Sequence, residues 1–237
     1  YDDQAFNEDR DELLASMQEG NVSLIVNPGI DLESSRKAIE FAEKYDFMYA
    51  AVGYHPEDIS KFSDSDYAEV CKLAEHSKCV AIGEIGLDYY WDDTHKEEQK
   101  TIFRKQIELA LKLDKPVIIH DREAHGDSME IVLEYPELRG VFHCYSGSAE
   151  MATELLKRGW YLGFDGPVTY KNARKTIEVL EICPLDRILI ETDSPYMSPV
   201  PKRGKRNDSR NLCYMVDKIA EIKGETPEKI AAITLEN

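Results

Sequence analysis

Residues Val80 to Asp93 read VAIGEIGLDYYWDD, and the first five, Val80 to Glu84, have the pattern of a short buried strand. They are mostly apolar and partly β-branched, and they end on a Gly–Glu pair where the chain is expected to turn. Glu84 is therefore predicted to lie at the end of a strand. Three further segments are predicted to end in the same way, each on a residue type that can bind a divalent cation. They are PVIIH ending on His120, GVFH on His143 and RILIETD on Asp193.

Strand-like and helix-like segments alternate along the chain. Seven strand-like segments are separated by amphipathic segments such as Glu97 to Leu113, without hairpin signals between them. This order predicts a parallel sheet covered by helices. Because seven strands are one fewer than a closed barrel needs, we expect a TIM-type (β/α)₈ barrel whose first strand precedes Tyr1, with residues 1–237 as a single domain trimmed at both ends. An open doubly wound sheet, which would gather its ligands at one switch point, is the alternative architecture.

The composition is typical of a water-soluble globular protein. Of the 237 residues, 42% are hydrophobic and 32% are charged, and no apolar run approaches the roughly 20 residues of a membrane span. No secretory signal is visible, so a cytoplasmic location is expected. The five cysteines are widely spaced and contain no C-x-x-C pair, which argues against a disulfide framework or a thiolate zinc site.

A formal net charge of −17 argues against a static nucleic-acid-binding protein, because such proteins usually present a basic face. Four cations are nevertheless concentrated in the loop PVPKRGKRN, Pro199 to Asn207: they are Lys202, Arg203, Lys205 and Arg206. This loop follows the strand that is predicted to end on Asp193. We expect it to bind substrate by guiding a phosphodiester towards the site. A flexible, solvated loop with no partner is the alternative.

The predicted strand ends suggest a metal centre. In α/β barrels the active site is built at the carboxyl ends of the strands, so Glu84, His120, His143 and Asp193 are expected to meet at one mouth. Two imidazoles and two carboxylates suit zinc or manganese, and the carboxylates also suit magnesium. A metal at this position would activate water for hydrolysis. The alternative for each residue is a structural hydrogen bond.

Five other residues are candidates for supporting roles. His55, in GYHP, is expected either to contact substrate or to fix the turn. Arg122 is expected to clamp a phosphate or carboxylate, with a surface salt bridge as the alternative. Asp88 and Tyr89 follow Glu84 closely and are expected to support the ligands or to form a turn. Asp127 is predicted to cap a helix rather than to act as a base.

These motifs together resemble the TatD family of metal-dependent deoxyribonucleases. The resemblance covers essentially the whole chain in the expected order. It rests on GYHP at His55, GEIGLDYYW around Glu84, PVIIHDREA around His120, FHCYSG around His143 and ETDSPYMSPVPKRGKRN around Asp193.

The resemblance implies a (β/α)₈ barrel of the amidohydrolase-like superfamily with a two-metal phosphodiesterase site. Carried over, Glu84 resembles a catalytic carboxylate shared by two metals, and His120 and His143 resemble ligands of one of them. Asp193 resembles a ligand near the other metal and a catalytic proton acceptor. Many members begin with an H-x-H motif at the end of the first strand, which this sequence lacks.

The expected function is therefore that of a deoxyribonuclease, most simply an exonuclease, that cleaves DNA phosphodiester bonds with metal-activated water. The expected cofactors are two divalent ions, Mg, Mn or Zn. DNA is expected as the substrate, without a membrane or an obligate protein partner. One alternative is hydrolysis of another ester or amide, such as an aminoacyl ester on transfer RNA. A non-catalytic binding barrel is the alternative outside the enzymes.

Overall fold

The computed structural model describes all 237 residues, which contain seven β-strands and nine α-helices. The strands are β1 (Ile25–Pro28), β2 (Met48–Val52), β3 (Cys79–Asp88), β4 (Val117–Arg122), β5 (Gly140–Phe142), β6 (Tyr161–Phe164) and β7 (Ile188–Ile190). The helices are α1 (Arg10–Ala15), α2 (Leu32–Lys44), α3 (Asp64–Ala74), α4 (Lys96–Lys112), α5 (His125–Leu133), α6 (Ala149–Lys157), α7 (Arg174–Ile182), α8 (Leu212–Lys223) and α9 (Pro227–Glu236). None of the helices combines the length and the apolar character that crossing a bilayer requires.

The chain divides into two compact units. The first unit is Leu24–Phe142, and the second is Asp3–Ser23 together with His143–Asn237. The expectation that residues 1–237 form one domain stays a prediction.

The first unit contains β1 to β5 and the helices α2 to α5. Each strand pairs in parallel with the next strand along the sequence, as the alternation of strands and helices predicts. Asp31 caps helix α2, since its carboxylate accepts a hydrogen bond from the Ser34 N–H at 2.9 Å. Its buried face carries Ala38, Ile39 and Ala42, so the helix covers the sheet with small and branched apolar side chains.

The strand β3 is longer than the sequence pattern indicates, and this corrects the predicted position of Glu84. The strand runs to Asp88, so Glu84 lies within it rather than at its end. The pairing register with β4 shifts between Ile82 and Ile85, which places Glu84 in an irregular segment where its side chain can be re-aimed. The Gly–Glu pair therefore marks an irregularity in the strand and not a turn.

The same extension corrects the position of His120. Beyond the irregular segment, β3 and β4 pair again, with Gly86 opposite His120 and Asp88 opposite Arg122. His120 is consequently two residues short of the end of β4. Gly86 adopts a φ of 143° and lies so close to β4 that an added Cβ would be 2.0 Å from the His120 carbonyl oxygen.

The second unit contains β6 and β7, which pair in parallel, together with α1 and α6 to α9. The boundaries of three of these helices follow from their caps. Ser148 caps α6 through its side chain, Thr226 caps α9 ahead of Pro227, and Gly224 ends α8 with a φ of 65°. His143 follows β5 directly, as predicted, whereas Asp193 lies three residues beyond the end of β7.

The substitution Gly86→Ala tests the close approach of β3 to β4. We expect it to lower the free energy of unfolding by about 2–5 kcal/mol, because the strained φ and the contact with the His120 carbonyl both cost energy. The control is Gly159→Ala, since Gly159 has a φ of 82° but nothing within 4 Å of an added Cβ. Urea denaturation measures both variants, and equal losses would contradict the close approach.

Candidate metal centre

In the first unit, Glu84 and His120 form the core of the candidate site. The Nδ1 atom of His120 lies 3.0 Å from Oε1 of Glu84. The Nε2 atom of His55 lies 3.5 Å from the same oxygen, and the His55 and His120 rings meet edge to face with centroids 4.3 Å apart. The three residues form a group whose ligand atoms are close enough to hold one metal ion. Glu84 and His55 are buried, so such an ion would be shielded from bulk water.

The environment of His55 favours a hydrogen-bond donor over a metal ligand. His55 precedes a 3-10 helix, Pro56–Lys61, and its Nδ1 atom accepts the Glu57 N–H at 3.2 Å. A neutral imidazole with Nδ1 as acceptor carries its proton on Nε2, which is the atom that faces Glu84. His55 thus fixes the turn, and its Nε2–H can donate to a carboxylate or to a substrate oxygen.

The other nitrogen of His120 contacts Asp88. The distance from Nε2 of His120 to Oδ2 of Asp88 is 2.9 Å, and Asp88 is fully buried. Burial opposes ionisation of Asp88, but the hydrogen bonds from His120 and from the Trp91 and Tyr90 N–H groups outweigh it and hold the pKa of this carboxyl below its ordinary value. Asp88 is therefore ionised and can accept the Nε2–H of His120, so that the Nδ1 lone pair would be available to a cation bound beside Glu84.

A second possible group around His120 is less suited to a metal. It combines Nε2 of His120 with Asp88 and Glu57. One oxygen of Asp88 already accepts two backbone N–H groups, and Glu57 is exposed to solvent. The Glu84 side of the ring is therefore the better site for a cation.

In the second unit, His143 also lies between two carboxylates. Its Nδ1 atom is 3.0 Å from Oε2 of Glu191, and its Nε2 atom is 3.8 Å from Oδ1 of Asp193. The second distance exceeds a hydrogen bond and fits two ligands that share an ion. Glu191 also accepts the Cys144 N–H. Glu191 thus orients His143, in the way that carboxylates commonly support a metal-binding imidazole.

The backbone is strained on both sides of this group. Cys144 has a φ of 42° and Asp193 a φ of 50°, a region that residues other than glycine rarely adopt. Strain of this kind collects at functional sites, where the surrounding structure has to hold it. The Cys144 thiol itself is not a candidate nucleophile, because burial raises its pKa well above the ordinary value.

Asp165 is a buried acid that the sequence analysis did not identify. It follows β6 directly, and its Oδ2 atom is buried without a hydrogen-bond partner. Burial, followed by the negative charge of Glu191, raises the pKa of Asp165 to about 8. The carboxyl borders a cavity of about 170 Å³, which Cys144 and Met197 also line. Glu84 was selected as an acid at a predicted strand end, and the same criterion would have selected Asp165. Glu191, which lies two residues before Asp193, could have been selected in the same way.

The cationic loop is anchored next to Asp193. Asn207 is fully buried, and its Nδ2 atom donates to the carbonyl oxygens of Thr192 at 2.6 Å and Tyr196 at 2.8 Å. Arg206 forms a two-point ion pair with Asp9 at 2.7 and 2.6 Å, so its charge is largely balanced. Arg203 lies over the Tyr170 ring at 4.4 Å. Lys202, Arg203 and Lys205 remain the better candidates for substrate contacts.

Two predicted supporting residues have different surroundings from those expected. Asp127 lies in the first turn of α5 and does not cap it; the N-cap is Ala124, and Asp127 instead accepts the Tyr89 hydroxyl at 2.6 Å and pairs with Lys100 at 2.8 Å. The prediction of a helix cap is therefore wrong. The Arg122 guanidinium lies over the Tyr90 ring at 4.1 Å, so its contact is aromatic. A phosphate clamp at Arg122 stays a prediction.

Imidazoles flanked by carboxylates on or just after parallel strands are typical of metal-dependent hydrolases with an α/β fold. The sequence model of the family described as "TatD related DNase" matches residues 1–237, and the chain belongs to this family. It is 45% identical to the metal-dependent hydrolase YabD of Bacillus subtilis over 98% of this chain and 92% of that protein. It is 36% identical to the 3'-5' ssDNA/RNA exonuclease TatD of Cronobacter sakazakii, over 97% and 90% of the two chains. The chain is thus a metal-dependent hydrolase.

A solved structure supports the fold assignment. The crystal structure of YjjV, a TatD homologue from Escherichia coli K12, matches this chain with a TM-score of 0.93 and 31% identity, covering 99% of this chain and 92% of that one. This similarity confirms the predicted fold class, the TIM-type α/β barrel class of TatD-family structures. That all four predicted ligands share one site stays a prediction.

In the metal-free protein, we expect Asp165→Asn to raise the Tm at pH 7 and to change it little near pH 4. Because the pKa of Asp165 is raised to about 8, the folded carboxyl keeps its proton over a pH range in which the unfolded one ionises. Its contribution to stability therefore falls as the pH rises from about 4 to about 8, and an amide has no such loss. Even one pKa unit, about 1.4 kcal/mol, corresponds to roughly 3 °C or more. Thermal unfolding at both pH values tests this, and equal shifts would contradict it.

Proposed function

We propose that this chain is a divalent-metal-dependent exonuclease that hydrolyses phosphodiester bonds at DNA ends, in the cytoplasm. The observation that carries the proposal is the orientation of the His120 imidazole. The buried carboxylate of Asp88 contacts Nε2 of this ring, and the Nδ1 atom of the ring faces Glu84. The 3'-5' ssDNA/RNA exonuclease from Cronobacter sakazakii, at 36% identity, supports phosphodiester bonds as the substrate class.

The donor atoms fit divalent ions. Two ligands bonded to one ion at about 2.1 Å are separated by roughly 3–4 Å. The Glu84–His120 distance of 3.0 Å and the His143–Asp193 distance of 3.8 Å fall in this range. Oxygen and imidazole ligands suit zinc, manganese and, through the carboxylates, magnesium. A divalent ion, when bound, would polarise a phosphoryl oxygen and make water more acidic. We propose that two such ions bind. Glu84 and His120 would hold one of them, and His143 and Asp193 would also serve as metal ligands.

The remaining residues of the proposed site bind the substrate and move protons. Asp193, half-buried and beside His143, is proposed to accept the proton of the attacking water. The Nε2–H of His55 is proposed to donate to a non-bridging phosphate oxygen. Lys202, Arg203 and Lys205 would offset the overall negative charge locally and attract a polyanion, whereas the charge of Arg206 is balanced by Asp9. These cations favour a phosphodiester over an uncharged ester or amide as the substrate.

The variants Glu84→Ala and His120→Ala test the proposed ligands. Each should reduce metal-dependent cleavage of single-stranded DNA by more than about 100-fold, since the loss of residues that merely orient ligands already costs 10- to 100-fold. Circular dichroism should show that the fold is retained. The control is His76→Ala, because His76 is paired with Glu43 at the surface.

Near-normal cleavage by either ligand variant would refute the assignment. The same preparations should be assayed on a carboxylic ester. Metal-dependent hydrolysis of the ester without cleavage of DNA would assign the protein as an esterase and not as a nuclease. Chelator treatment of the wild-type protein provides the reference for complete loss of metal.

Neutralising the loop tests its role in attracting DNA. The triple variant Lys202→Gln, Arg203→Gln, Lys205→Gln should bind single-stranded DNA more weakly and with a shallower dependence on salt, by about 0.7 in the log–log slope for each phosphate that is no longer neutralised. Arg206 is left in place because its ion pair with Asp9 stabilises the loop. Fluorescence anisotropy across a salt series measures the slope. An unchanged slope would show that these three cations do not contact the DNA.

A further inference from the structure

We propose that Tyr90, Trp91 and Arg122 form a stacking site for an unpaired nucleobase, and that this site selects single-stranded ends. We call the three residues the aromatic platform. The proposal rests on the proposed function, because it assigns a base-binding position to the same phosphodiester substrate. The three residues belong to the first unit, as do Glu84 and His120.

The two rings of the platform are open to solvent. Tyr90 is 56% exposed and Trp91 is 62% exposed, whereas the other tryptophan, Trp160, is 2% exposed. The Tyr90 and Trp91 rings meet edge to face with centroids 4.8 Å apart. Adjacent large aromatic side chains that stay exposed commonly mark a binding surface, because water contact with their apolar faces is unfavourable.

Arg122 adds a planar cation to these rings. Its guanidinium carbon lies 4.1 Å from the Tyr90 ring centroid and 5.4 Å from that of Trp91. Proteins that bind single-stranded nucleic acid combine aromatic stacking surfaces with arginine in the same way, since each nucleotide brings both a π-face and a negative charge. The combination fits a nucleotide better than an uncharged apolar ligand.

The platform is tied to the proposed metal ligand by one carboxylate. Oδ1 of Asp88 accepts the N–H groups of Tyr90 and Trp91, each at 2.9 Å, while its Oδ2 atom contacts His120. Arg122 lies opposite Asp88 in the β3–β4 pairing. A phosphate bound beside His120 would therefore have a neighbouring base within reach of the platform.

This position explains a preference for unpaired ends. In a duplex, each base is stacked between its neighbours and its faces are covered, so stacking on Tyr90 and Trp91 requires a base to leave the helix. A single-stranded end has no such cost. The platform would thus contribute to binding of single strands and much less to binding of blunt duplexes.

The first experiment measures binding without hydrolysis. In a Trp160→Phe variant, Trp91 is the only tryptophan, so emission reports the platform alone. The probe is a single-stranded DNA of about ten nucleotides, added in the presence of a chelator. We expect saturable quenching of Trp91, and weaker quenching by a blunt duplex of the same sequence. Binding detected by anisotropy without any change in Trp91 emission would overturn the proposal.

The second experiment uses variants with matched controls. Trp91→Ala and Tyr90→Ala should each weaken binding of the oligonucleotide roughly 5- to 150-fold, and Trp91→Phe and Tyr90→Phe should restore most of it. Leu133→Ala and Arg36→Ala remove an exposed apolar side chain and an exposed cation elsewhere in the first unit, and should leave binding unchanged. Binding by the alanine variants that equals that of these controls would overturn the proposal.

Turnover separates the two proposals. The alanine variants should raise KM for the single strand with little effect on kcat, and should cleave an oligonucleotide of abasic residues as the wild type does. If the alanine variants cleave the single strand normally and with unchanged KM, the aromatic platform is contradicted and the proposed function is not. If single-stranded DNA quenches Trp91 but the protein hydrolyses no phosphodiester, the proposed function is contradicted and the aromatic platform is not.

Discussion

The constraint on which the candidate site depends is the position of one imidazole between two buried acids. His120 faces Glu84 with one nitrogen and Asp88 with the other, at 3.0 and 2.9 Å. An imidazole that binds a cation through one nitrogen keeps its single N–H on the other nitrogen, so only one of the two acids can then be its acceptor. Asp88 is fully buried, which opposes its ionisation, but hydrogen bonds from His120 and from the Trp91 and Tyr90 N–H groups hold its pKa below the ordinary value. With a cation bound beside Glu84, His120 would therefore donate its Nε2–H to Asp88 and offer its Nδ1 lone pair to the ion.

The second unit repeats this pattern with different residues. Glu191 accepts from one nitrogen of His143, and Asp193 lies near the other. The strained backbone at Cys144 and Asp193 and the raised pKa of Asp165 belong to the same group. Each unit thus provides an oriented imidazole with an adjacent carboxylate, which is what a metal-dependent hydrolase needs from its protein.

Much of the fold and part of the site could be predicted from the sequence. Periodicity signals are local, so the alternation of strands and helices was predicted correctly. The pattern Gly83–Glu84 was misread as a turn because only the pairing of β3 with β4 reveals the strand beyond it. The partners of His120 lie 32 and 36 residues earlier, and no local pattern shows which of several acids contacts an imidazole. The helix cap expected at Asp127 failed for the same reason, since its partners are distant.

Crystals of the protein grown with manganese provide the most direct measurement. We expect an anomalous scattering peak about 2.0–2.2 Å from both Nδ1 of His120 and a carboxylate oxygen of Glu84, with Nε2 of His120 still hydrogen-bonded to Asp88. A peak on the Nε2 side, between Asp88 and Glu57, would contradict it, and so would a fully loaded crystal with no peak beside His120.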